Sequence, residues 1–361
     1  MSTSESSPAR LSAGGRCLQR VLLGMALAAG APLPVLASVA AHATDAELGD
    51  ALDVAIAHPS TSADLFRDSL ELGPRERTMV PQSVLALPSS IAHVLVADLS
   101  ANRLYLYAHE AGDLTLLRAM FLSIGKQGYG KEVEGDNLSP VGIYTVTRWI
   151  PGQELPPLYG DGAWPVDYPN PLDRMLGRTG YGIWLHGNPP ENGGIRGPRS
   201  SEGCITLANA DLTSLEPFIH LQRTTVVFAD RVTWVDRGTR AQRAEHLTEA
   251  LQQWTAAWET GDADELAAMY SADARIAGLT RDQLREQKRA VNAYKDWIRV
   301  GVDEIAAYVY PGSEGRMMQV DFTQRYESSN YQSLAPKRQY WRLDDDGQWR
   351  IVLEIPDYQP G

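Results

Sequence analysis

The chain is poor in cysteine: Cys17 and Cys204 are the only two among 361 residues. A disulfide framework is therefore excluded, and the fold must be held by its cores. Basic residues are outnumbered, 33 Lys and Arg against 45 Asp and Glu, for a formal net charge of −12. Phosphate contacts need clustered cations, so nucleic acid is not an expected partner. After the first 43 residues no apolar run approaches the length of a membrane-spanning helix. The seven histidines are scattered without ligand spacing, which argues against a zinc site. No metal and no cofactor are expected, and no internal repeat is visible.

The first 43 residues have an order of their own. Arg10, Arg16 and Arg20 precede the apolar run Val21–Ala31, and small residues follow as far as Ala41-His42-Ala43. This is the pattern of a secretory signal peptide with an A-x-A cleavage site. Residues 1–43 are accordingly read as a leader cut near Ala43, leaving an exported, periplasmic protein with no stable membrane insertion. Cys17 precedes the apolar run, so it is not a lipoprotein cysteine. Once the leader is cut, Cys204 is the one remaining thiol.

Composition then changes three times along the chain. Residues 44–90 form a lead-in with helical spacing that ends in a Pro-containing stretch. Residues 91–232 hold short β-rich runs such as "IAHVLVADLS" and "NRLYLYAHE", broken by turn residues at 100–102 and 112–113. Long loops lie at 125–138, 151–180 and 188–203, followed by a helix predicted over 209–218. Residues 241–358 open with Leu247, Leu251, Trp254 and Trp258 at helical spacing, continue through two shorter helices and close with four strands. The predicted class is α+β multidomain: a mainly-β domain followed by an α+β domain.

The thiol stands in "SSEGCITL". Three nearby features would favour a thiolate. A helix begins a few residues later, with Asn209 as its expected N-cap. His186, followed by Gly187, sits at the end of the short strand "GIWLHG" and would serve as a base. Gly203 lets the backbone turn so that its N–H and that of Cys204 could face a developing oxyanion. Trp184 alternates with His186 and should face the same side. An inert, structural Cys204 is the competing reading.

"WLHG…SSEGCITL", with "GDNLSPVGIY" and "VADLSANRLYLY", resembles the YkuD-type L,D-transpeptidase catalytic domain of bacterial cell-wall enzymes. His186, Gly187, Ser201, Gly203, Cys204 and Ile205 match that family's HG pair and Ser/Thr-x-Gly-Cys element. Ser139, Pro140, Gly142 and Tyr144 match a second element. Glu202 and Thr206 depart from the pattern, standing where many members carry His or Arg, and Arg or Asn. The resemblance implies attack by Cys204 on the diaminopimelate–D-Ala bond of a peptidoglycan tetrapeptide stem. His186 would act as base and the Gly187 carbonyl would orient it. Gly203 and Cys204 would bind the oxyanion, and Ser201, Tyr144, Gly142, Arg199 and Trp184 would line the substrate site. The acyl group would pass to an amine, as in a transpeptidase, or to water, as in an L,D-carboxypeptidase. Residues 241–358 resemble the nuclear transport factor 2-like (SnoaL-like) cone, which implies a binding or assembly module and leaves a homodimer through this domain open. The pairing of the two resembles cell-shape enzymes that trim stem peptides. A non-catalytic wall-binding protein is the alternative of another class.

Overall fold

The computed structural model describes residues 72–192 and 196–359. The expected leader and the lead-in before residue 72 lie outside the described residues. Residues 72–90 hold one short helix, Pro74–Thr78, and two strands, Val80–Pro81 and Val84–Ala86. The second strand joins neither of its sequence neighbours. It pairs antiparallel with the distant strand Ile298–Val309 and forms the edge of the C-terminal sheet. Val84 and Leu85 are buried there, so the segment covers an edge that would otherwise expose unpaired amides.

Residues 93–229 build a curled sheet around the meander His93–Asp98, Arg103–Glu110 and Asp113–Gly125. The turns fall at the polar punctuation: Asn102 adopts φ 54°, and Ala111-Gly112 adopt 50° and 85°. Five of the six residues of His93–Asp98 are buried, because apolar clusters cover both faces of the sheet. One cluster holds Leu95, Leu104, Leu122, Tyr144, Leu185 and Phe228. The long strand Asp113–Gly125 pairs along its length with Arg103–Glu110, and Leu122 and Ser123 near its end pair with Ile205–Leu207. From there the sheet runs through Trp184–His186 to Gly162–Pro165 and Ile150–Pro151. The single long strand thus carries the two strands on which the sequence motifs lie.

The C-terminal part is a seven-stranded sheet wrapped by three helices, Arg237–Glu259, Ala263–Ala268 and Arg281–Asn292. Leu247, Leu251, Trp254 and Trp258 are all buried, as their spacing predicted. Asp236, Asp262 and Thr280 cap the three helices through their side-chain oxygens. The second helix stops at Ala268, since Tyr270 already begins a strand that pairs beside Trp349–Pro356. A third apolar cluster joins the two halves, with Val96, Tyr105 and Val227 against Tyr308, Tyr340 and Leu353. Polar contacts cross the same seam. Tyr308 Oη donates to Thr225 Oγ1 at 2.9 Å, and Tyr358 Oη donates to Asp167 at 2.8 Å. Within the C-terminal sheet, buried Arg338 forks onto Asp321 at 2.6 and 2.7 Å, and its guanidinium lies 3.8 Å from Asp167 across the seam.

Candidate active site

Cys204 sits between the strands Arg199–Ser201 and Ile205–Leu207, in a turn that two hydroxyls close. Ser201 Oγ donates to the Cys204 carbonyl at 2.6 Å and accepts from the Gly203 N–H at 3.1 Å. Ser139 Oγ donates to the Gly203 carbonyl at 2.9 Å and accepts from the Gly125 N–H at 3.0 Å. Gly203 has φ +128°, and a Cβ there would lie 2.9 Å from the Leu138 carbonyl oxygen, so the turn requires glycine. The strand that follows runs parallel to Trp184–His186, with Leu185 opposite Ile205 and His186 opposite Thr206. Continuing that register one step back sets Cys204 beside Trp184. His186 and Cys204 are then diagonal neighbours across adjacent parallel strands.

His186 is buried, and its Nδ1 lies 2.7 Å from the Gly187 carbonyl oxygen. A carbonyl only accepts, so Nδ1 carries the proton and the neutral ring presents a lone pair at Nε2. The ring meets Tyr159 edge-on at 4.9 Å, and Tyr159 also packs on Trp184 at 5.0 Å. Trp184 and His186 therefore face one side. The backbone after His186 is clamped by Asn209. Its Oδ1 accepts from the Asn188 N–H at 2.8 Å, and its Nδ2 donates to the Asn188 carbonyl at 3.0 Å. A Cβ on either Gly187 or Gly160 would collide with Asn209 Oδ1. The expectation that Asn209 is an N-cap fails: it is the first residue of the helix Asn209–Ser214, behind an Ala208 cap, and its side chain serves the clamp.

The charge state differs from what the sequence suggested. Burial pushes the Cys204 thiol up to about 11, against the opposing pull of the Trp184 backbone amide and the Lys131 ammonium. The expected helix N-terminus does not offset this, because strand Ile205–Leu207 and Ala208 separate Cys204 from the helix. Burial also lowers the His186 imidazole to about 4, although the Gly187 carbonyl favours its charged form. The resting pair is a neutral thiol and a neutral imidazole, and Sγ–H donates to the Gly182 carbonyl at 3.3 Å.

Several residues expected at the substrate lie elsewhere. Tyr144 is fully buried, with Oη donating to Asp173 at 3.1 Å and its ring packed against Phe228. Gly142 is required by packing, since a Cβ would lie 2.6 Å from Tyr144 Oη and 2.8 Å from Tyr310 Oη. Both belong to the interior and neither can touch a ligand. Ser201 uses its hydroxyl inside the turn, so it shapes the site from behind. The Gly203 N–H is occupied by Ser201, which leaves the Cys204 N–H as the oxyanion donor to consider. Arg199 is exposed, with its guanidinium over Gly128. Lys131, Gly182 and the Asn209 clamp were not singled out for these places, and no local spacing marks them.

A cavity of about 830 Å³ opens in the C-terminal domain among Trp258, Lys288, Lys295, Tyr326, Tyr331 and Lys337. Lys288 Nζ stands 4.1 Å from the centre of the Trp258 ring, and Lys337 pairs with buried Glu354 at 2.7 Å. Among the described residues no cluster of three or more His, Cys, Asp or Glu could hold a metal ion, and no helix is long and apolar enough to cross a membrane.

This fold and motif arrangement define a class. Residues 92–228 match the L,D-transpeptidase catalytic domain (YkuD), and residues 246–355 match the Cds6 C-terminal NTF2-like domain. Within the chain, a YkuD L,D-transpeptidase catalytic domain over 92–228 is followed by an NTF2-like domain over 246–355. Solved structures resemble both halves together. Bd1075 of Bdellovibrio bacteriovorus is 24% identical with a TM-score of 0.68, covering 78% of this chain and 99% of its own. A point variant of the helical cell shape determining protein Pgp2 from Campylobacter jejuni is 25% identical with a TM-score of 0.63, covering 77% of this chain and 93% of its own. Another Pgp2 structure is 24% identical with a TM-score of 0.62, covering 81% and 97%. No curated protein matches the sequence.

Proposed function

We propose that the chain is a cysteine-dependent acyl-transfer enzyme acting on peptidoglycan stem peptides at the diaminopimelate–D-Ala bond. The observation that carries this reading is the parallel register of Trp184–His186 with Ile205–Leu207, together with an imidazole whose Nδ1 proton is held by the Gly187 carbonyl. Nε2 is then the base on the side that faces the thiol. In the proposed step Cys204 Sγ bonds to the scissile carbonyl carbon while its proton passes to His186 Nε2. The Cys204 N–H donates to the developing oxyanion. The C–N bond breaks, the leaving D-Ala amine takes the proton from His186, and a thioester remains. Because the resting groups are neutral, proton transfer accompanies attack and no ion pair is formed beforehand.

Water is the acceptor we favour, giving an L,D-carboxypeptidase that trims tetrapeptides to tripeptides in the periplasm. Support comes from the likeness of the whole two-domain body to a protein that determines helical cell shape. The lysine-lined C-terminal cavity suits a module that holds the wall polymer and not a second reaction centre. Transfer to an amine, forming a crosslink, is the other outcome. Purified tetrapeptide muropeptides incubated with the protein and read by mass spectrometry decide: tripeptide plus free D-Ala supports hydrolysis, and dimers joined between diaminopimelates support transfer. Unchanged substrate, or equal turnover by Cys204→Ala, sinks the reading.

A further inference from the structure

One cation beside the thiol has no part in the chemistry above. Lys131 lies in the loop 125–139, which is stitched to the Cys204 turn: the Lys126 N–H donates to the Ser201 carbonyl at 2.8 Å, and Ser139 bridges to Gly203. Its side chain is only 4% exposed. A Cβ on Gly180 would lie 3.2 Å from Lys131 Cε, so the stem runs along the segment whose Gly182 carbonyl accepts the hydrogen bond of the thiol. Nζ donates to Asp136 Oδ1 at 2.8 Å and to the Val133 carbonyl at 3.0 Å. An ammonium has three donors, and the third has no partner among the described residues. Asp136 neutralises it only in part, because that carboxylate also accepts from the amides of Glu132, Val133 and Leu138. Of the other cations near the site, Lys126 pairs with Glu202 at the surface, Arg199 is exposed, and half-buried Arg196 acts on the His186 ring, whose charged form it disfavours. The field of Lys131 reaches the sulfur, since it favours the thiolate.

We propose that Lys131 is a specificity residue that selects donor peptides ending in a free carboxylate, by attracting the α-carboxylate of the residue that leaves. This rests on the reading that Cys204 attacks a stem peptide. When the scissile carbonyl sits at Sγ, the leaving residue lies one step along the chain, a Cα spacing of about 3.8 Å. Its carboxylate is then held close to the sulfur, on which the buried Lys131 ammonium also acts. A peptide continuing past this point, or ending in an amide, offers no charge there. The substrate class is thus a peptide with a C-terminal carboxylate one residue beyond the cleaved bond.

Two measurements on the full chain test this. The first compares a tetrapeptide stem ending in free D-Ala with the same stem ending in a carboxamide. The native protein favours the acid in kcat/KM by about tenfold, the size of a partly screened Coulomb attraction between unit charges near a protein surface. Lys131→Met/Asp136→Asn, which removes the pair as a unit and leaves no buried lone carboxylate, slows the acid alone and brings the ratio near one. Lys131→Arg keeps most of the preference. Equal use of acid and amide by the native protein, or a double variant that slows both alike, overturns the proposal. The second measurement needs no turnover: the rates at which iodoacetate and iodoacetamide alkylate Cys204, read on its own peptide so that Cys17 does not contribute. The iodoacetate-to-iodoacetamide ratio falls by about threefold or more in the double variant. An unchanged ratio overturns the proposal, whereas a lowered ratio in a protein that trims no muropeptide upholds the field of Lys131 and refutes only the activity.

Discussion

The neutral resting pair makes a prediction that separates two mechanisms. Burial moves the Cys204 thiol from its ordinary value of 9.0 to about 11. At pH 7 the thiolate share then drops from about one in a hundred to about one in ten thousand, a tenfold change for each unit. Iodoacetamide should therefore label Cys204 about a hundredfold more slowly at pH 7 than it labels an unhindered thiol. The rate should climb tenfold per pH unit and level off only near pH 11. A stored thiolate–imidazolium pair would behave otherwise, with a rate flat across neutral pH that collapses in His186→Ala. The assay is a pH series from 6 to 11, quenched and mapped by mass spectrometry on the Cys204 peptide. A plateau below pH 9 refutes the argument, because it would mean that the thiolate exists before substrate arrives.

Three further outcomes follow from named contacts. Gly187→Ala places a methyl on Asn209 Oδ1 and 3.0 Å from the Tyr159 carbonyl oxygen. It should cost about 1–3 kcal/mol in denaturant unfolding and abolish muropeptide turnover; Gly187→Ala/Asn209→Ala should recover part of the stability and little turnover. Arg338→Met leaves Asp321 with only the Gln319 amide, takes the cation from buried Asp167 across the seam, and should destabilise by about 3–5 kcal/mol, measured by urea unfolding. For His186, the folded value of about 4 lies below the ordinary 6.5, so burial disfavours the charged ring. The associated stability is full above pH 6.5 and is lost as pH falls through about 4, by about 3 kcal/mol at most. The difference between native and His186→Gln unfolding curves across that window should show this loss, and parallel curves would contradict it.

The helix of Leu247, Leu251, Trp254 and Trp258 was legible because its four apolar residues repeat at helical spacing and all point inward. The HG pair and the Gly203-Cys204 element were legible through their resemblance to the YkuD motifs, and the structure gives each glycine a steric reason. Tyr144 was misplaced because a tyrosine in a strand reads alike whether its face meets a cleft or the core. Its burial comes from Phe228 and Tyr168, which the sheet brings against it from elsewhere in the chain. Ser201 was misassigned because the partners of its hydroxyl, the Gly203 N–H and the Cys204 carbonyl, depend on the shape of the turn.

The amino-acid order alone determined what short-range forces decide: an acidic chain without a disulfide framework, the kinds of elements in each domain, and one thiol and one imidazole in motifs with their glycines. The folded body decided the rest. It placed Val84–Ala86 beside a strand more than two hundred residues later, brought the Lys131 loop against the Cys204 turn, and left the thiol and imidazole uncharged. Burial and strand register are properties of surfaces that meet across long stretches of chain, and a pKa responds to those surfaces and not to sequence neighbours.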